Sequence, residues 1–163
     1  VGARGDEDYH AMDMVSDILS NGKSARLYLE LVKNKQLFSE INAYMSGDMD
    51  KGLFIISGKL VKGVAMEAAE AAIEEELDKF KLKLLEEREL TKIKNKLESI
   101  LVFSEMNILN KAMNLATFEL MGDANLINQE TEKYLAVSAE KIQQVLTKYV
   151  QKENCSTLYY MAN

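Results

Sequence analysis

The apolar positions at the start of the chain follow a helical period. Ala11, Met14, Val15 and Ile18 fall at i, i+3, i+4 and i+7, which places them on one helix face. The acidic run Asp6-Glu7-Asp8 suits the first turn of that helix, and Asn21-Gly22 suits its left-handed stop. Ser24 predicts the cap of a second, short helix carrying Leu27, Tyr28 and Leu31 on one face as far as Asn34. At Leu37 the period changes to two. Leu37, Ser39, Ile41, Ala43 and Met45 alternate with Phe38, Glu40, Asn42, Tyr44 and Ser46, which predicts a strand. The turn residues 47–52 and the β-rich run 53–57 complete an antiparallel hairpin.

Beyond Gly63 the composition shifts to Ala, Glu, Leu and Lys. A helix is predicted over 64–84, with Met66, Ala69, Ile73, Leu77 and Phe80 as its buried stripe. A longer one is predicted over 87–121, its stripe starting with Leu90, Ile93, Leu97, Ile100 and Leu101, and Gly122-Asp123 ends it. Shorter helices follow over 126–134 and, after the capping Ser138, over 139–150; the last apolar run, 155–161, reads as a strand. Neither an internal repeat nor a Gly/Ser- or Pro-rich linker divides the sequence, so a single domain over 1–163 is expected. The expected fold class is α+β, an antiparallel-rich sheet packed against several helices.

Charge and composition then exclude whole classes of function. The 163 residues contain 20 Lys and Arg against 26 Asp and Glu, a net charge of −6, which disfavours binding to a phosphate backbone. The uncharged stretches are far shorter than the roughly 20 residues that span a bilayer. One histidine, His10, cannot supply H-E-x-x-H or H-x-x-E-H, so this chain alone is no zinc hydrolase. One cysteine, Cys155, forms no internal disulfide; at the start of an apolar strand it reads as a small buried hydrophobe. A start at Val1, with no basic-then-apolar leader, suggests a processed or excised piece of a longer protein.

Candidate motifs mostly reduce to ordinary structure. Gly22-Lys23-Ser24 resembles the end of a phosphate loop, but Asp17 stands where that motif needs its first glycine. Asp48-x-Asp50 with Gly52 hints at a calcium loop without its remaining ligands, so a solvated turn is expected. The Glu74–Glu76 and Glu86–Glu89 runs lie among lysines and read as charged helix faces. His10 has no nucleophile motif around it, and a surface or half-buried structural role is expected. The nine methionines are dispersed and read as core filler.

Taken in order, several phrases resemble the non-catalytic domain of the pitrilysin or insulinase-type zinc metallopeptidases, the family of the mitochondrial processing peptidase. Asp8-Tyr9-His10-Ala11-Met12, Asp17-Ile18-Leu19, Gly22 and Ser24-Ala25-Arg26-Leu27-Tyr28 are similar to its first helix, glycine break and S-S-R-L segment. Residues 31–37 resemble a stretch that usually reads L-R-E-K-x-G-L, and Gly52-Leu53-Phe54-Ile55 the second hairpin strand. Leu85–Leu90 with Lys94-Asn95 resembles the start of the long helix, and 137–154 the closing helix and the approach to the last strand.

The resemblance implies two related α+β domains closing around a peptide chamber. The zinc and its H-x-x-E-H motif would lie in the other, catalytic domain or subunit, so no catalytic or metal-binding residue and no cofactor is expected in this chain. The partners implied are that catalytic domain and a peptide substrate. Some non-catalytic domains of the family contribute an Arg and a Tyr seven residues apart; these positions fall on Val32 and Ser39, which cannot replace them chemically. Ser39 and Arg26 are therefore candidate substrate contacts by position only, and Arg26 has an alternative as a helix-surface partner of Glu30. The alternative function is a structural scaffold subunit of the same fold without peptidase activity. The family layout would make Val1–Arg4 the end of a first strand, and the incomplete sheet would then favour strand-edge pairing between two copies.

Overall fold

In a computed structural model, residues 1–46 and 49–161 are described. α1 (Tyr9–Ser20) is buried almost all round, because it touches the sheet on one side and helices on the others. Its stripe of Ala11, Met14, Val15 and Ile18 is joined in the core by Met12 and Leu19. The helix ends at Asn21, and Gly22 turns the chain at φ +95°, a conformation that only glycine adopts without strain. The short helix expected after Ser24 is a π-helical segment, Tyr28–Asn34, with Leu27 and Leu31 fully buried. Ser24 does not cap it; its hydroxyl instead accepts a hydrogen bond from Lys92 at 2.6 Å.

The hairpin pairs β1 (Phe38–Ser46) with β2 (Leu53–Leu60) antiparallel, from Phe38↔Leu60 to Ser46↔Leu53. A β-bulge between Phe38 and Glu40 corrects the expected alternation: the extra residue, Ser39, is exposed, and Phe38 turns inward with Ile41 and Ala43. The Phe38 ring lies over Gly58, where an added Cβ would stand 2.6 Å from ring carbons, so this strand position excludes a side chain. Asp48 and the turn centre around it lie outside the described residues.

Chain reversal into β1 places Gln36 at φ +51°. This is the position where the L-R-E-K-x-G-L stretch carries glycine, and the left-handed backbone is the physical reason. Gln36→Gly is expected to raise stability by up to about 1 kcal/mol, read as a rise in the urea midpoint at unchanged m-value.

α2 (Met66–Leu82) and α3 (Glu87–Ser104) are shorter than the periods predict. The segment expected to run unbroken to residue 121 divides at 105–107. Asn107 accepts hydrogen bonds from the Leu109 and Asn110 amides at 2.9 and 3.3 Å, which starts a separate helix, α4 (Ile108–Leu120). Gly122 follows it. A 3₁₀ segment, Ala124–Gln129, leads into α5 (Glu130–Ala136), where one helix over 126–134 is expected. Ser138 caps α6 (Ala139–Tyr149) as its sequence signal predicts, and Ile142, Val145 and Leu146 from that helix are fully buried.

The run 155–161 forms no strand. It has no ladder partner among the described residues, and Thr157 and Tyr159 hydrogen-bond Glu70 of α2 instead. Cys155 is consequently exposed rather than buried. At the other end of the chain, Val1 exchanges backbone hydrogen bonds with Gly52 at 2.8 and 3.1 Å, beside the outer edge of β2.

Candidate functional site

A buried cluster of polar side chains lies between α1 and α5, and exposed polar side chains line the outward face of the hairpin. α1 brings His10 and Asp13 to one side by their i, i+3 spacing, and α5 presents Glu130 and Tyr134 by i, i+4. Glu130 Oε1 lies 3.2 Å from His10 Nε2, while Arg4 Nη2 donates to Glu130 Oε2 at 3.2 Å. Lys133 adds a 3.5 Å ion pair on the solvent side. The Tyr134 hydroxyl donates to Asp13 Oδ2 at 2.7 Å, and its ring meets His10 edge-on at 4.7 Å between centroids.

Burial and charge set the protonation of this cluster. Removal from water would raise the Glu130 carboxyl, but the His10 hydrogen bond and the His10 and Arg4 charges outweigh it and hold the group below its ordinary range. Asp13 goes the other way: its burial dominates over the Tyr134 hydrogen bond and pushes it up. Burial, then the Asp13 carboxylate, raises the Tyr134 phenol. The arrangement ties the first helix to the fifth. Its side chains are occupied with one another across the two helices, as in a structural lock. His10 is thus buried and partnered, deeper than its sequence context suggests.

The residues of a hydrolytic zinc site are missing. His10 is the one imidazole of the chain, and among the described residues no three His, Cys, Asp or Glu are grouped to hold a metal.

Arg26 and Ser39 are held in separate structural arrangements. Arg26 does not pair with Glu30. It reaches α3, where Nε and Nη2 donate to the two carboxylate oxygens of Glu89 at 3.2 and 2.8 Å, and its guanidinium lies 4.1 Å above the Phe80 ring. An i, i+4 rule sees only its own helix, whereas the tertiary partner is 63 residues away. Ser39 sits on the bulge, where its hydroxyl donates to the Lys59 carbonyl at 3.0 Å. Val32 packs against the core. Glu130 and Tyr134 escaped the sequence reading because a polar pair within a short helical run carries no signal of what lies opposite.

The sheet face turned away from α1 is open. Asn42, Tyr44 and Ser46 of β1 and Leu53, Ser57 and Lys59 of β2 are exposed, with Tyr44 at 46% and Leu53 at 66%. Glu40 and Lys59 are register partners on it, so the face mixes apolar groups, hydrogen-bonding groups and charges of both signs.

Comparison with known proteins agrees with this architecture. The profile of the peptidase M16 inactive domain matches residues 1–97. A protease from Helicobacter pylori superposes with a TM-score of 0.88 at 23% identity, over 94% of this chain and 37% of that one. The inactive peptidase domain of a putative zinc protease from Bordetella parapertussis gives 0.85 at 21% identity, over 94% and 82%. A peptidase M16 inactive domain from Pseudomonas fluorescens gives 0.68 at 20%, over 93% and 36%. The chain therefore spans little more than a third of the Helicobacter and Pseudomonas chains. No curated protein matches the sequence. With the profile covering more than half of its length and the α+β fold shared by these structures, the chain belongs to the peptidase M16 inactive-domain family.

Proposed function

We propose that this domain is the non-catalytic, chamber-forming and peptide-binding part of a zinc metalloendopeptidase whose H-x-x-E-H site lies in another domain or subunit. The open sheet face carries this proposal. Its alternating apolar and polar side chains, with both signs of charge, suit an extended peptide held by shape and apolar contact rather than by a sequence-specific pocket. The zinc and its catalytic chemistry belong to the partner, because one imidazole cannot furnish the ligands. Ser39 enters as a rim contact beside that face. Arg26 would act through Nη1, which the Glu89 pair does not use.

A photoreactive residue replacing Tyr44 tests this. It is expected to capture an unfolded peptide, competed by excess unlabelled peptide, while the same probe at the exposed Arg88 of α3 captures little. Equal labelling at the two positions would favour the structural scaffold instead. That alternative draws its support from Val32, whose packed side chain offers a peptide no donor.

A further inference from the structure

A cleft of about 300 Å³ lies between α4 and the 3₁₀ segment Ala124–Gln129, and none of its lining residues belongs to the hairpin. Lys111, Leu115 and Phe118 fall at i, i+4 and i+7 of α4 and so share one face of that helix. Phe118 is buried, while Lys111 and Leu115, nearer the start of the helix, form one wall of the cleft. Asn125, Ile127 and Asn128 supply the other wall, and Glu105, from the break between α3 and α4, completes the lining.

Lys111 and Glu105 bring opposite charges to the same cleft, yet no ion pair joins them, and neither side chain has another partner among the described residues. Asn128 Nδ2 donates to Asn125 Oδ1 at 2.7 Å, which leaves the Asn125 amide as a donor and the Asn128 carbonyl as an acceptor. Leu115 and Ile127 set apolar surface among these polar groups. The combination complements a molecule that carries a carboxylate, an ammonium and an apolar side chain. A volume at the lower end of ligand clefts suits a single amino acid rather than a longer chain. We propose that this cleft binds a free α-amino acid with an apolar side chain, its carboxylate on Lys111 and its ammonium on Glu105. The interior of a peptide lacks both charges, so this ligand differs from the extended peptide of the sheet face, and the inference stands independently of that reading.

Titration of the 163-residue chain with leucine, followed by amide NMR shifts, is expected to give saturable changes confined to residues 105–115 and 124–128. N-acetyl-leucine, which lacks the ammonium, and leucinamide, which lacks the carboxylate, should each bind about tenfold more weakly. Lys111→Met should weaken leucine and N-acetyl-leucine and leave leucinamide unchanged. Glu105→Gln should weaken leucine and leucinamide and leave N-acetyl-leucine unchanged. The dispersion of the same spectra shows whether each variant is folded, and the comparison of the three ligands on the unaltered chain needs neither variant. Leucine that produces no saturable shifts overturns the proposal. So does equal affinity for the three ligands, or binding that neither substitution alters in a folded chain.

Discussion

Replacing Glu130 by alanine is expected to destabilise the domain by about 3–5 kcal/mol, the usual cost of removing one member of a buried ion pair. Glu130 is 3% exposed and compensates His10, itself 6% exposed, and the partly buried Arg4. Truncation leaves both with unsatisfied donors and opens a void between α1 and α5. Glu130→Gln retains the volume and one acceptor, so its cost should be smaller. Chemical denaturation at several pH values separates charge from packing. The Glu130 carboxyl titrates below its unfolded value of about 4.3, so its contribution is present above that pH and is lost as the solution becomes more acidic. The difference between the wild type and Glu130→Gln should therefore shrink between about pH 5 and pH 3. Asp13, with a raised value, opposes the trend: its carboxylate is destabilising at neutral pH, and protonation relieves it. A constant difference across the window would show that the Glu130 charge contributes nothing.

Phe80→Ala is expected to cost about 3–5 kcal/mol by thermal or denaturant unfolding, as for other fully buried aromatics. Phe80 is 2% exposed at the end of α2 and is the platform under Arg26, which in turn binds Glu89 of α3. Its removal loses packing and also releases the bidentate pair that joins the first loop to the third helix. Phe80→Leu preserves most of the apolar volume but not the ring face. The expected loss is then smaller by more than half, and the cation–π share should be about 1 kcal/mol. If Arg26→Met in the Phe80→Leu background costs as much as in the wild type, the stacked guanidinium adds nothing to the joint.

Much of this framework was legible because it repeats locally. The i, i+3, i+4 stripe of α1, the Asn21-Gly22 stop, the period-two run from Ile41 and the Ser138 cap all express geometry within a few residues of the signal. What was not legible depends on distant partners. The bulge that reverses Phe38 sets its ring over Gly58, 20 residues on, a contact that no local pattern displays. The interruption at Asn107 involves a cap inside an otherwise continuous apolar pattern. The Glu30 partner that helical spacing offers Arg26 is not the one it takes, because spacing along one helix says nothing about α3. The stretch 155–161 has strand composition, but its side chains are tied to Glu70 of α2 and it pairs with no strand among the described residues. The open sheet face was implicit in the alternation of Glu40, Asn42, Tyr44 and Ser46, whereas the lock around Glu130 required the fold to bring α5 onto α1.

The proposed division of labour between a zinc-bearing partner and this domain is tested most directly by incubating the purified chain with stoichiometric zinc and a flexible peptide, followed by mass spectrometry of the products. No zinc-dependent cleavage is expected, and none should appear on raising the metal concentration. Reproducible cleavage that co-purifies with the folded chain and is abolished by a chelator would contradict the account.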